Sequence, residues 1–340
     1  MQSYVFKAED LKSGQIVALK KSRVSLKVKR PFLRHESRIL QLLQGHPAIP
    51  KLYGYGQLEH FEYISMEILG ISVGDEVDTG GLTVITVIRI VEQVLSALRH
   101  IHGHGIVHRD IKPENLLCSN HDPSKIMLID FGITKTTSSG PPKTYDPIKE
   151  KKHIVGTVRW TSLNAHRGID LAPRDDLESL AYTALFLLRG NIPWPGGHAA
   201  ESILRTQAQV HKIKGSFSGS QLTMHFPTEF AYLLDYSRGL DYHQMPDYDD
   251  LQNHWTCVPA IETTEAMDQN GEEEDNADYS EEPRVGELSE DSYFGFDIDC
   301  WDNRFSSRHA SLTLPTQSEE CADSQIPSIV DVVYLLASKN

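Results

Sequence analysis

The sequence predicts an α+β fold of two lobes, a small β-rich one followed by a larger helical one, with an acidic tail attached. Three observations lead there. Short strand-like apolar runs crowd the first part of the chain. Two long helical periods come after them, and strands that precede helices rather than alternate with them argue for segregated layers. The composition then breaks near Trp255: residues 256–340 hold 20 Asp/Glu and 4 Arg/Lys, while residues 1–255 hold 27 and 29. The net charge of −14 therefore belongs to the tail, at −16, and the body is close to neutral at +2.

The elements follow in order. Tyr4-Val5-Phe6-Lys7-Ala8 and Ile16-Val17-Ala18-Leu19-Lys20 flank a polar turn containing Lys12-Ser13-Gly14, the pattern of a hairpin. A helix is expected over residues 32–43, with Leu33, Leu40 and Leu43 at helical spacing and Gly45 and Pro47 ending it. A further apolar run covers Tyr63 to Leu69. Gly80-Gly81 precede an amphipathic helix in which Val84, Val87, Ile88, Val91, Val94, Leu95 and Leu98 recur at three- and four-residue steps. A second helix is expected to start at Asp176 and carries Leu177, Leu180, Ala181, Ala184, Leu185 and Leu188. Tyr182 and Phe186 make it apolar nearly all round, which predicts burial. The lobes are expected to span 1–69 and 70–255. The tail, 256–340, includes Glu272-Glu273-Glu274-Asp275 and lacks a long apolar period, which predicts disorder. Near its end Ile329, Val330, Val332, Val333, Leu335 and Leu336 form an apolar patch, either a docking segment or an incidental strand.

Composition excludes several classes. No uninterrupted apolar run is long enough for a membrane span, and the N-terminus lacks a basic-then-apolar signal pattern. Four cysteines with no CxxC pair argue against a zinc ribbon or a disulfide scaffold. They point to an intracellular, cytoplasmic or nuclear setting. The acidic balance argues against nucleic acid as a partner, although a neutral body leaves room for a local basic groove.

The chemistry concentrates in four places. His108-Arg109-Asp110-Ile111-Lys112-Pro113-Glu114-Asn115 lies between the two long helices, and Asp130-Phe131-Gly132 begins 20 residues after Asp110. Upstream, Val17-Ala18-Leu19-Lys20 ends on a strand lysine, and Glu36 sits on the first expected helix. Each signal alone is weak. Together, in this order and on these elements, they resemble the protein kinases. A further block, Gly156-Thr157-Val158-Arg159-Trp160-Thr161-Ser162-Leu163-Asn164, precedes Arg174-Asp175-Asp176-Leu177-Glu178-Ser179-Leu180 and Pro193-Trp194. Ser-Leu-Asn stands where most kinases have Ala-Pro-Glu. The block resembles the casein kinase I family, and the resemblance runs from about Ser3 to Trp255.

That resemblance implies a bilobal kinase fold that transfers the γ-phosphoryl group of ATP, with Mg2+, to Ser/Thr hydroxyls of proteins. Such transfer needs positioning and charge neutralisation more than covalent chemistry. Carried over residue by residue, Lys20 contacts the α- and β-phosphates and Glu36 holds it. Asp130 and Asn115 ligate magnesium, with oxygen donors suited to a hard cation. Asp110 accepts or orients the hydroxyl proton, and Lys112 offsets charge on the transferred group. Ala18 and Leu117 sandwich the adenine, Met66 is the gatekeeper, and Glu67 to Leu69 form the hinge. Arg159, with Lys212 and Lys214, supplies a basic patch for acidic or already phosphorylated protein substrates. A monomer is expected. Asp176 is either a helix cap or a buried aspartate that braces the catalytic loop. His100, His102 and His104 are spaced by two, which suits neither face of a helix, and His108 belongs to the loop, so the four do not read as a metal cluster.

The pattern departs from the family at its start. A loop of the form Gly-x-Gly-x-x-Gly-x-Val normally covers the phosphates; Val5 fits its final Val and Ser3 stands at its last Gly. The rest would lie before Met1, so either the sequence starts late or the loop is missing. The alternative to an active serine/threonine kinase is therefore a kinase-fold binding module with weak or no activity.

Overall fold

The first hairpin forms where the alternating runs predict it. Strand β1 (Ser3–Glu9) pairs antiparallel with β2 (Ile16–Arg23), from Ser3 opposite Ser22 to Glu9 opposite Ile16. Asp10 builds the turn: its carboxylate accepts from the backbone N–H of Lys12 (3.0 Å) and from Ser13 Oγ (2.8 Å). Gly14 closes it at φ +68°, a conformation that costs glycine little. The computed structural model describes residues 3–23, 32–77, 80–144, 154–195, 203–256 and 334–335, all within one unit of 1–260 and 326–340.

Helix α1 (Phe32–Leu43) buries Leu33, Leu40 and Leu43 as their spacing predicts. Strands β3 (Leu52–Gln57) and β4 (Phe61–Met66) extend the hairpin sheet. The apolar run from Tyr63 to Leu69 is not one strand. It breaks at Glu67–Ile68, and β5 (Leu69–Ser72) joins a separate three-stranded sheet with β7 (Leu116–Ser119) and β8 (Ile126–Leu128). Glu67 anchors the break: its N–H donates to the Lys51 carbonyl (2.9 Å), and its carboxylate accepts from the Lys51 N–H (3.1 Å). The larger sheet runs β10-β1-β2-β4-β3, where β10 is Tyr334–Leu335, paired antiparallel with Glu9 and Ala8. Leu335 is the only residue of the C-terminal apolar patch among the described residues. The remainder of the patch and the acidic runs of the tail lie outside them.

Helix α2 (Val84–Gly103) begins at Thr83, whose hydroxyl accepts from the Thr86 N–H (3.3 Å). Gly81 just before it has φ +76°, and a Cβ there would stand 2.2 Å from the Leu188 carbonyl oxygen. That approach lets the Leu82 N–H donate to the Leu187 carbonyl at 2.6 Å. Helix α4 (Pro173–Arg189) starts three residues earlier than its apolar period predicts. Pro173 opens it without losing a needed donor. Asp175 rather than Asp176 caps it, accepting from the Ala172 N–H at 2.7 Å. Nearly every side chain of α4 is buried, as an all-round apolar helix requires. Each fully buried leucine there contributes about 1.5–3 kcal/mol.

Around α2 and α4 pack α3 (Leu163–Arg167), α5 (Ile203–Ser216), α6 (Gly219–Leu222), α7 (Thr228–Gly239) and α8 (Tyr248–Thr256). Two short strands, β6 (Ile106–Val107) and β9 (Lys135–Thr136), pair antiparallel. They draw the loops carrying Asp110 and Asp130 side by side. No helix among the described residues is long and apolar enough to cross a membrane.

Candidate active site

The strand lysine, the helix glutamate and the loop aspartate converge. Lys20 Nζ lies 2.8 Å from both carboxylate oxygens of Glu36 and 2.9 Å from Asp130 Oδ1. Burial disfavours the Lys20 ammonium, but the two carboxylates outweigh it and raise its pKa. Glu36 is also buried, and burial pushes its pKa up against the pull of Lys20. Asp130 is held below the ordinary carboxylate range: burial opposes this, and Lys20 overcomes it. These three line one cavity of about 340 Å3 together with Ala18, Met66, Glu67, Leu69, Asn115 and Leu117. The sheet register explains the walls. Ala18 stands opposite Met66, and Val5 stands opposite Lys20. Phe6 and Lys7 also line the cavity and carry no motif by which sequence could have found them.

Asp110 sits at the second half of the site. Its Oδ2 accepts from Lys112 Nζ (2.7 Å) and Asn115 Nδ2 (3.2 Å), and Asn115 Nδ2 also donates to the Asp110 carbonyl (2.8 Å). Its Oδ1 accepts from Thr157, through the N–H at 2.9 Å and the hydroxyl at 2.8 Å. Thr157 is the contact that sequence reasoning missed. The signal for it was Gly156, which adopts φ +85° and where a Cβ would stand 2.4 Å from the Arg109 carbonyl oxygen. The Ile129 N–H donates to the Asn115 carbonyl at 3.0 Å, tying this loop to the one that ends in Asp130.

Asp176 braces the loop and is not a cap. It accepts from the N–H groups of His108 and Arg109, both at 2.7 Å, and from His102 Nε2 at 2.9 Å. His102 Nδ1 in turn accepts from the Tyr248 hydroxyl. His108 Nε2 donates to the Ile129 carbonyl (3.1 Å), so its Nδ1 is free to accept from the Asp110 N–H (3.3 Å). Burial lowers the His108 pKa, which suits this neutral tautomer. His100 Nε2 and His104 Nδ1 donate to the carbonyls of Leu43 (2.9 Å) and His100 (2.8 Å).

The three cations of the expected basic patch do not share one environment. Arg159 is half-buried, its guanidinium 5.0 Å from the Trp160 ring and 5.2 Å from the Phe186 ring. Lys212 is exposed on α5. Lys214 corrects the expectation: it is fully buried, and its ammonium donates to the carbonyls of Val158 (3.1 Å) and Thr161 (2.5 Å). Alternate residues on one helix point to different sides, and the α5 sequence carries no sign of which lysine turns inward.

Ser-Leu-Asn in place of Ala-Pro-Glu has a structural account. Ser162 and Asn164 donate to Asp175 Oδ1 at 2.6 and 3.0 Å. Glu178 accepts from the Leu163 N–H (3.2 Å) and pairs with Arg238 (3.3 Å). Burial pushes the Asp175 pKa up to about 6, against the hydrogen bonds from Ser162 and Ala172. The native state therefore binds this proton more tightly than the unfolded chain, whose value is near 3.8. Relative to Asp175→Asn, the wild-type chain is expected to gain stability as pH falls from about 6 toward 4. Melting temperatures of the two proteins across that range should diverge by a few degrees; a constant offset would refute the assignment.

The protein kinase domain family matches residues 1–254. The chain belongs to the protein kinase family. It is 35% identical over 253 residues to casein kinase I homolog 2 of Schizosaccharomyces pombe, a match covering 73% of this chain and 58% of that protein. It is also 35% identical over 268 residues to casein kinase I homolog 1 of the same organism, covering 77% and 59%. The kinase thus spans about three fifths of the length of these curated relatives.

The donor set of the kinase site fits a nucleotide with magnesium. Asn115 spends its Nδ2 on Asp110, which leaves its Oδ1 for a cation, and the Asp130 side chain is 42% exposed beside it. Among the described residues no group of three or more His, Cys, Asp or Glu could cage a metal. Two oxygen donors suit a magnesium ion that takes its other ligands from phosphates and water. The apolar walls at Ala18, Met66 and Leu117 suit a flat ring, and Lys20 adds a cation to the lining of the same cavity.

Proposed function

We propose that this kinase is a serine/threonine protein kinase of casein kinase I type, transferring the γ-phosphoryl group of ATP to protein hydroxyls with Mg2+. One observation carries the reading: Asp110, held by Lys112, Asn115 and Thr157, shares a site with the Lys20–Glu36–Asp130 cluster. Asp110 orients the substrate hydroxyl, and Lys112 offsets charge as the group transfers. Asp130 and Asn115 hold the metal, and Lys20 holds the phosphates in the position set by Glu36. Met66, Glu67, Leu69, Ala18 and Leu117 receive the adenine. Arg159 and Lys212 favour acidic or phosphorylated substrates, because guanidinium and ammonium groups pair with phosphate and carboxylate. The sparse cysteines support an intracellular site of action.

The test measures phosphate incorporation from ATP into acidic, phosphoserine-primed and neutral serine peptides. The wild-type kinase is expected to prefer the first two, and Asp130→Asn to lose at least about 100-fold in rate. Equal incorporation by both proteins removes catalysis from this site. A wild-type protein that binds ATP, as a melting shift, but transfers nothing is instead a kinase-fold binding module.

A further inference from the structure

We propose that Lys214 is a positioning residue that sets the loop receiving the protein substrate, by pinning the carbonyls of Val158 and Thr161 from inside the helical lobe. The inference takes the meaning of that loop from the phosphoryl-transfer reading above. Its geometry does not depend on that reading.

A buried ammonium carries three donors and needs acceptors for them. Lys214 Nζ finds Thr161 O at 2.5 Å, Val158 O at 3.1 Å and His166 Nε2 at 3.5 Å. The rings of Tyr182 and Trp194 lie 4.6 and 5.3 Å from it, within cation–π range. The Lys214 backbone is held as well: Arg238 Nη2 donates to its carbonyl at 2.9 Å and to the Tyr182 hydroxyl at 2.9 Å. Burial pulls the Lys214 pKa down to about 7, with the nearby Glu178 opposing the fall. The carbonyls and ring faces also favour the charged form.

The pinned segment leads directly into the catalytic centre. Thr157 bonds Asp110 through both its N–H and its hydroxyl, and its hydroxyl also accepts from Lys112 Nζ at 3.0 Å. Trp194 Nε1 donates to the Arg159 carbonyl at 2.8 Å. Within Val158–Thr161 three carbonyls are thus fixed by side chains from elsewhere in the fold, and two of them by the same ammonium. A hydroxyl presented to Asp110 comes within reach of Thr157, which bonds the same carboxylate, and Arg159 follows two residues on. Releasing the Lys214 pins displaces those two residues, while the nucleotide cavity, which Lys214 does not line, is left in place.

The experiment compares wild type, Lys214→Met and Lys214→Arg by hydrogen exchange over residues 156–162 and by steady-state kinetics. In Lys214→Met the segment is expected to exchange about tenfold faster. The peptide KM should rise by about fivefold or more, with the ATP KM within about twofold. Lys214→Arg, which retains charge and donors, should recover part of both. A folded Lys214→Met with unchanged exchange, or with ATP and peptide KM rising together, overturns the proposal. Should wild type prove catalytically silent, the exchange comparison decides the inference alone, so its failure is distinct from failure of the functional reading. A lysine-labelled wild-type protein gives a readout that needs no variant. The Lys214 ammonium protons are expected to exchange with water more slowly than those of surface lysines at about pH 5, well below the group's pKa of about 7, and equally fast exchange overturns the proposal.

Discussion

Asp110→Asn is expected to lower kcat by roughly 10^2–10^4-fold while leaving nucleotide affinity within about twofold. The substitution preserves size but removes the charge that, in the proposed function, orients the incoming hydroxyl. It also removes the counter-charge 2.7 Å from Lys112 Nζ, so the lysine loses one of its two anchors and keeps only Thr157 Oγ1. On the nucleotide side the change reaches only Asn115, whose Nδ2 loses the 3.2 Å bond to the carboxylate and keeps the 2.8 Å bond to the Asp110 carbonyl; the Lys20, Glu36 and Asp130 contacts do not involve Asp110. Steady-state kinetics for ATP and peptide, paired with the ATP-induced melting shift, separate the two effects. Wild-type turnover would remove Asp110 from the chemistry. A parallel loss of ATP affinity would show that the two halves of the site are not independent. Asp130→Asn is the contrasting case, since it strikes both the proposed metal donor and a partner of Lys20.

The contrast between Lys20 and Lys214 shows what a sequence can and cannot express here. Lys20 stands on an alternating strand, and its partners stand on a helix of plain period and in a short motif, so residue type and spacing suffice to bring the three together. Lys214 stands on a helix whose apolar face is weakly marked, and its partners are backbone carbonyls more than 50 residues earlier. Carbonyls carry no residue identity, so no pattern announces them. Thr157 is similar: its bond to Asp110 spans 47 residues and exists because Gly156 turns the chain tightly against Arg109. The break at Glu67–Ile68 was hidden for a different reason. Apolarity reports burial, and a run that leaves one sheet and enters another stays buried throughout. The cap of α4 was hidden because neighbouring aspartates, Asp175 and Asp176, both suit a helix start, and only the tertiary structure assigns capping to one and the loop brace to the other.

Replacing that brace should carry a large stability cost. Asp176→Asn is expected to destabilise the kinase by about 3–5 kcal/mol, because it leaves buried donors facing an amide in place of a carboxylate. Three donors converge on the wild-type side chain, two of them backbone N–H groups of His108 and Arg109. Arg109 is held at φ +72°, a left-handed conformation that an arginine adopts only where its surroundings impose it. Loss of the carboxylate releases that constraint and frees the Asp110 loop, so activity should fall along with the melting temperature. The pH dependence separates this charge from generic burial. Burial opposes ionisation of Asp176, but the hydrogen bonds from His102 and from the His108 and Arg109 N–H groups hold its pKa below the ordinary carboxylate value of 3.8. A native pKa below the unfolded one stabilises the fold above that unfolded value, and the contribution is lost as pH falls through the native value. The gap in melting temperature between wild type and Asp176→Asn should therefore be widest above about pH 5 and close in stronger acid. Asp175, one residue away, has the opposite sign, since its native pKa lies above the unfolded value. Acidification from pH 6 toward 4 should help the fold through Asp175 before it harms the fold through Asp176. A gap for Asp176→Asn that stays constant from pH 3 to 7 would mean that the residue braces the loop by shape alone and not by charge.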